Sequence, residues 1–233
     1  MQEKKVVIHV IKVFVNKNND FGNPVGIVED TEHELNDNDR QKIAKDLNFS
    51  ETVFIDNFGT EPVINIFNPI HKVKFAGHAV LGTVDFISKN IDGNVGHIIC
   101  GKEAIQVNSK NGLTHIKAPL KIMPTWNYEK VSLPVKVEEL SSREMANKQH
   151  LFVWAWINEK VGTVRARTFA SDWGIPEDEA NGSGSMVLAS HLNRDLEIQH
   201  GKGSIIYARP INNDFAEVGG ATNTEDDIIF SLV

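Results

Sequence analysis

The stretch Phe75-Ala76-Gly77-His78-Ala79-Val80-Leu81-Gly82-Thr83-Val84-Asp85-Phe86-Ile87-Ser88 decides the fold. From Ala79 to Ser88 it reads as a short helix. Val80, Leu81, Val84, Phe86 and Ile87 make that helix apolar on most sides, so it must be buried. A second segment has the same character. Gly182-Ser183-Gly184 leads into a helix over Ser185 to Leu192, with Met186, Val187, Leu188 and Leu192 spread around it. Each helix starts just after a polar residue with glycine beside it. A third helix, Asn36 to Leu47, has an Asn/Asp-rich start and gathers Ile43, Ala44 and Leu47 on one face.

The other apolar runs read as strands. In the first half these are Val6 to Val15, Val25 to Val28, Thr52 to Ile55, Val63 to Phe67, His97 to Ile99, Ala104 to Val107 and Leu113 to Ile116. In the second half they are Leu151 to Ile157, Val161 to Phe169, Asp195 to Gln199, Ser204 to Tyr207, Ala216 to Val218 and Ile228 to Leu232. Asn111-Gly112 is a two-residue hairpin signal between two of them. Phe67 leads to Gly77-His78-Ala79 and a helix, and Phe169 leads to Gly182-Ser183-Gly184 and a helix. Many strands with one buried helix per half predict an α+β chain in which a sheet curls around a helix, twice. The expected division is 1–120, with Glu51 and Gly77-His78, and 121–233, with Asp178 and Gly182-Ser183; terminal strands are free to cross between the halves. The polar stretch Pro124 to Asn147 reads as their connector.

Composition narrows the function. The 233 residues carry 24 basic and 31 acidic side chains, a formal charge of -7, which repels a nucleic-acid backbone. The single cysteine, Cys100, rules out an intrachain disulfide and a multi-thiolate metal site, and this usage fits a reducing cytoplasm. Within His97-Ile98-Ile99-Cys100 it reads as a buried, inert thiol. Val6 to Val15 is broken by His9 and Lys12, is too short to span a membrane and lacks a small-residue cleavage site.

Three segments offer proton chemistry. Glu51 stands between the polar tip Asn48-Phe49-Ser50 and the apolar Thr52-Val53-Phe54-Ile55. A carboxylate at the edge of an apolar strand is partly desolvated, which raises its pKa toward the range useful for proton transfer. A solvated Glu at a strand start remains the plain alternative. His78, between Gly77 and Ala79 at a helix start, combines an imidazole with free amides that hold an anion; a structural helix-start histidine is equally open. Asp178 and Ser183 bracket Glu179-Ala180-Asn181-Gly182. Gly182 lets the backbone approach a ligand, and the Ser183 hydroxyl suits a carboxylate; a capped helix explains the same residues. A serine hydrolase built on Ser183, His78 and Asp178 lacks the Gly-x-Ser-x-Gly elbow. No His-x-x-x-His pattern, dinucleotide fingerprint or P-loop occurs.

In order along the chain, Phe21-Gly22-Asn23-Pro24-Val25-Gly26, Ser50-Glu51-Thr52-Val53-Phe54, Phe67-Asn68-Pro69 with Phe75-Ala76-Gly77-His78-Ala79, and Gly174-Ile175-Pro176-Glu177-Asp178 with Gly182-Ser183 resemble the motif blocks of the PhzF family. The resemblance implies a diaminopimelate-epimerase-like fold: two pseudo-symmetric halves, each a curled, mostly antiparallel sheet around a central helix, with a cleft between them. It implies Glu51 as general acid/base and His78 and Asp178 as further catalytic residues, with Ser50, Gly77, Gly182 and Ser183 binding substrate. In the family's isomerase the glutamate moves a proton between ring carbons of dihydro-3-hydroxyanthranilate, and the enol product becomes a ketone. That chemistry implies no metal or organic cofactor, a small-molecule substrate and a homodimer.

The chain departs from the family in places. It is shorter between about Ile122 and Leu151. Lys72 stands where an acid is common, and Asn181 where a threonine is. The two cysteines of the related epimerases are absent. The reading that follows is a cofactor-independent isomerase of a small carboxylate-bearing molecule. The alternative is a catalytically inactive PhzF-like protein that keeps the cleft for binding, suggested by Lys72 and the shortened connector.

Overall fold

The computed structural model describes residues 4–59, 61–90, 95–110 and 112–232. The first half of the chain holds β1 (Lys4–Val15), β2 (Asn23–Glu29), α1 (Asp37–Leu47), β3 (Glu51–Asn57), β4 (Val63–Phe67), β5 (Lys72–Val73), α2 (Gly77–Asn90), β6 (His97–Cys100), β7 (Glu103–Lys110) and β8 (Leu113–Pro119). The second holds β9 (Asn127–Lys130), α3 (Pro134–Glu138), α4 (Ser142–Met145), β10 (Leu151–Asn158), β11 (Thr163–Ala170), β12 (Ile175–Asp178), α5 (Gly182–Leu192), β13 (Leu196–His200), β14 (Ser204–Pro210), β15 (Phe215–Thr224) and β16 (Ile228–Leu232).

The α+β fold of two curled, mostly antiparallel sheets is present. Strands β1-β2-β3-β4-β6-β7-β8-β15 follow one another by hydrogen bonding, and β15 pairs back with β1, closing a barrel of eight strands. Beyond β15 the sheet continues as β14-β13-β11-β10-β9 and stays open at β9 among the described residues. The helices that are apolar nearly all round are the two buried ones. Positions Gly77 to Val84 of α2 are all buried, as are Gly182 to Met186 of α5.

Both helices are crossover connections between parallel strands, the only way such strands can be joined. Helix α2 joins β4 to its parallel neighbour β6, and α5 joins β11 to its parallel neighbour β13. The repeat extends further. Helix α1 links the parallel pair β2 and β3, and α3 with α4 links the parallel pair β9 and β10. The polar stretch read as a connector is therefore the counterpart of β2-α1-β3, an ordered unit with its own packing. Four of its apolar side chains, Val131, Val137, Leu140 and Met145, meet the patch Leu151, Val153, Ala155 and Phe169 on β10 and β11. Arg165 pairs with Glu138, and Arg167 donates to the carbonyls of Val137 and Leu140 while binding Glu177. Strands and helices of four or five residues with one apolar contact per turn leave no periodic signal, which is why β9, α3 and α4 are not legible in the sequence.

Helix α1 starts where expected. Asn36 and Asp39 form a reciprocal capping box. The two buried helices start earlier than expected, α2 at Gly77 and α5 at Gly182. Glycine reads as a break because it costs about 1 kcal/mol in a helix, but here the helix tips touch. A Cβ on Gly77 would lie 3.1 Å from Gly182 Cα, and one on Gly182 would lie 3.2 Å from Gly77 Cα. Beneath the tips sits the fully buried Phe14, at the bulge of β1, with a left-handed φ of 69°. An aromatic residue there is strained, and such strain persists only where surrounding packing fixes it. The β7–β8 turn places Lys110 opposite Leu113, with Gly112 at φ 74°; Asn111 lies outside the described residues. Cys100 is buried and its Sγ donates to the Lys74 carbonyl at 3.1 Å; burial pushes the thiol up to about 12. No helix among the described residues is long and apolar enough to cross a membrane.

Candidate active site

The parallel strands β2 and β3 begin side by side, with Val25 opposite Glu51. Their first residues are Asn23 and Glu51. Strand β12 ends at Asp178, and both buried helices begin within the same region. The result is one cavity of about 380 Å³ lined by Glu51, Gly77, His78, Asp178, Asn181, Gly182 and Ser183 at its polar end. Ser50 does not line it, but its hydroxyl donates to Asp178 Oδ1 at 3.3 Å.

Glu51 Oε2 lies 3.2 Å from His78 Nε2. Neither atom makes a well-aligned hydrogen bond, and both are shut away from solvent. Burial, followed by the nearby Asp178 charge, pushes the Glu51 carboxyl well above its usual range. Burial lowers His78 to about 3. Burial thus disfavours the charged form of both partners in this contact. About 13 % of the Glu51 side chain remains exposed, toward the cavity it lines.

Asp178 is held from three sides. Asn23 Nδ2 and Ser50 Oγ donate to Oδ1, and Asn181 Nδ2 donates to Oδ2 at 3.0 Å. Burial raises this carboxyl to about 6, and the three donors oppose the rise. The first amides of α2 and α5, at Gly77, His78, Gly182 and Ser183, have no intrahelical partner. Two helix N-termini thus aim their amides and positive dipole ends into one cleft, a ready anion site. The Ser183 hydroxyl donates to Asn181 Oδ1 at 3.3 Å and meets no imidazole, so the hydrolase arrangement does not form. Among the described residues no cluster of His, Cys, Asp and Glu has the geometry to hold a metal ion.

Sequence reasoning gave no role to Asn23 and Asn181. Asn23 is visible only as part of the Gly-Asn-Pro block. Asn181 caps α5, accepting from Gly184 N at 2.6 Å, while its amide holds Asp178. A threonine can cap but has no such amide to offer. Asn181→Ala is expected to cost about 1–2 kcal/mol from the lost cap and bond. It should also move the Asp178 carboxyl further up, because one of the donors that lowers it is gone. Urea unfolding and carboxyl-carbon NMR titration check the two effects; an unmoved Asp178 titration would show that the amide does not hold it. The aromatic wall of Trp126 and Trp173, 5.2 Å apart and edge-to-face, was also unforeseen, since Trp126 lies in the stretch read as a connector.

A family model described as phenazine biosynthesis-like protein, PhzC-PhzF, matches residues 11–150. The chain belongs to this family. It is 28 % identical over 222 residues to the trans-2,3-dihydro-3-hydroxyanthranilate isomerase of Pseudomonas chlororaphis, covering 78 % of each chain. Among solved structures it is similar to a PhzF-family protein of Enterococcus faecalis, with a TM-score of 0.76, 17 % identity, and 98 % of this chain and 100 % of that one covered. It is also similar in fold to a hydroxyproline epimerase of Agrobacterium vitis, with a TM-score of 0.62, 10 % identity, and coverage of 98 % and 93 %. Family and relatives together place the chain among the PhzF-type isomerases.

Proposed function

We propose that this chain is a cofactor-independent isomerase of a small carboxylate-bearing molecule, acting by proton transfer through Glu51 and similar to trans-2,3-dihydro-3-hydroxyanthranilate isomerase. The observation that carries the reading is the Glu51 carboxyl: buried, without a hydrogen-bond partner for Oε2, and lining a cleft closed by two helix N-termini. Desolvation makes its ionised form a stronger base than a surface carboxylate, and keeps its acid form able to return the proton near neutral pH.

The substrate carboxylate docks on the amides of Gly77, His78, Gly182 and Ser183. Glu51 removes a proton from one carbon, the double bonds shift, and the Glu51 acid, whose proton exchanges with solvent in the interval, delivers a proton to another carbon. One C–H bond breaks, one forms, and the composition is unchanged. Neutral His78 offers a hydrogen bond without a charge. Asp178, fixed by Asn23, Ser50 and Asn181, is a second carboxyl in contact with the substrate. On the family resemblance the proposal extends to a homodimer, and on cysteine usage to a reducing cytoplasm.

Incubation with trans-2,3-dihydro-3-hydroxyanthranilate in deuterated water, followed by NMR, tests the reaction. The expected result is deuterium at a ring carbon and accumulation of the ketone. Absence of both, with this substrate and with other small unsaturated carboxylates, would remove the isomerase reading in its proton-transfer form.

A further inference from the structure

The floor of the cavity combines the positive ends of two helices with two carboxyls, and its rim is basic. The floor carries the amide ends of α2 and α5. The rim carries His71, Lys72, Lys74 and Lys121, and the only carboxyls lining the cavity are Glu51 and Asp178, at the floor. Lys121 is neutralised by Glu103 at 2.7 Å. Among the described residues Lys72 and Lys74 have no carboxylate within ion-pair distance.

The backbone that carries these two lysines is fixed. Lys72 lies in β5 and Lys74 at the bend just after it, and both line the same cavity. Strand β5 fixes Lys72 opposite Phe67 and Val73 opposite Ile66, and the Cys100 thiol holds the Lys74 carbonyl. The Lys72 ammonium also sits 5.5 Å from the centre of the Phe67 ring. Two neighbouring ammonium groups without a carboxylate repel each other, and the one aromatic contact of Lys72 does not neutralise its charge. A cleft with such a rim concentrates anions. The wall between floor and rim is apolar, with Ile122, Met123, Trp126 and Trp173.

Building on the isomerase reading, we propose that the substrate is a dicarboxylate. One carboxylate docks at the helix N-termini, the second meets Lys72 and Lys74 at the rim, and an unsaturated carbon frame between them packs on Trp126 and Trp173. Lys72 is thereby a specificity-determining residue.

Titration calorimetry of the intact protein with muconate, a six-carbon unsaturated dicarboxylate, and with its monomethyl ester tests this. In low salt the diacid should bind at least about tenfold tighter than the ester, the sum of two partly screened lysine contacts. In Lys72→Gln/Lys74→Gln that ratio should fall to near one, and 0.5 M salt should shrink it in the wild type. Equal affinity for diacid and ester, a ratio that survives in the double variant, or no measurable binding of the diacid would each overturn the proposal. Glu51→Gln separates this outcome from the catalytic one. It should keep the diacid preference, whereas loss of exchange in deuterated water reports on proton transfer alone.

Discussion

Glu51→Gln should abolish turnover and solvent-hydrogen exchange while leaving the fold intact. Removal of a positioned general base typically costs about 10²–10⁴-fold in rate, and here no neighbouring group can replace it. His78 is held neutral with a pKa near 3, and Asp178 is tied by three donors. The variant also has a stability signature. The Glu51 carboxyl is raised above its ordinary value of 4.5. The wild type therefore has the full stabilisation from this group below about 4.5, and loses it as pH climbs toward the raised folded value. Glutamine mimics the neutral acid and does not titrate. Its urea midpoint should stay close to that of the wild type at pH 4 and rise relative to it as pH increases to 8. A variant that keeps its rate would remove Glu51 from the mechanism, and parallel midpoints across that range would show that its carboxyl is not raised.

Gly77→Ala should damage both stability and catalysis. The added Cβ would stand 3.1 Å from Gly182 Cα and 3.2 Å from Gly182 C and Ser183 N. All three are backbone atoms, so no side chain can rotate away. Helix propensity favours alanine, but overpacking costs about 1–3 kcal/mol, and separating the tips by a few tenths of an ångström displaces the amides proposed to hold the substrate carboxylate. A loss of about 10- to 100-fold in kcat/KM is expected, because small misplacements of binding groups are costly in rate. Gly182→Ala, which would meet Gly77 Cα, Phe14 Cζ and His78 N at 3.2–3.3 Å, should behave alike. Gly96→Ala, with nothing within 4 Å, is the control and should leave rate and urea midpoint unchanged. Wild-type kcat/KM in Gly77→Ala would show that the touching helix tips are not the substrate site.

The local chemistry of this chain was legible in its sequence. Ala79–Ser88 and Ser185–Leu192 are apolar on most sides and so belong in an interior, and with the many strands around them this pointed to a sheet curled around a helix, twice. The Asn-rich start of α1 specified its cap, and the edge position of Glu51 before Thr52–Ile55 forecast desolvation. The blocks that resemble the family's motifs singled out Glu51, His78, Asp178 and Ser183, and all four line one cavity.

What only the tertiary structure decided depends on contacts between residues far apart in the chain. Barrel closure comes from β15 pairing with β1, a long-range hydrogen-bonded ladder with no local sequence signature. The stretch 124–147 looked like a polar link because what holds it is one apolar patch on β10 and β11 and two arginines bound to Glu138 and to backbone carbonyls, contacts that leave no periodic pattern. Gly77 and Gly182 looked like helix breaks because propensity is local, whereas their backbones need each other's missing side chains. Asn23 and Asn181 carry no individual signal; they matter because folding buries Asp178 within reach of their amides. Residue type and periodicity set which groups leave water. Which of them then meet, and with what charge, is fixed by packing across the two halves.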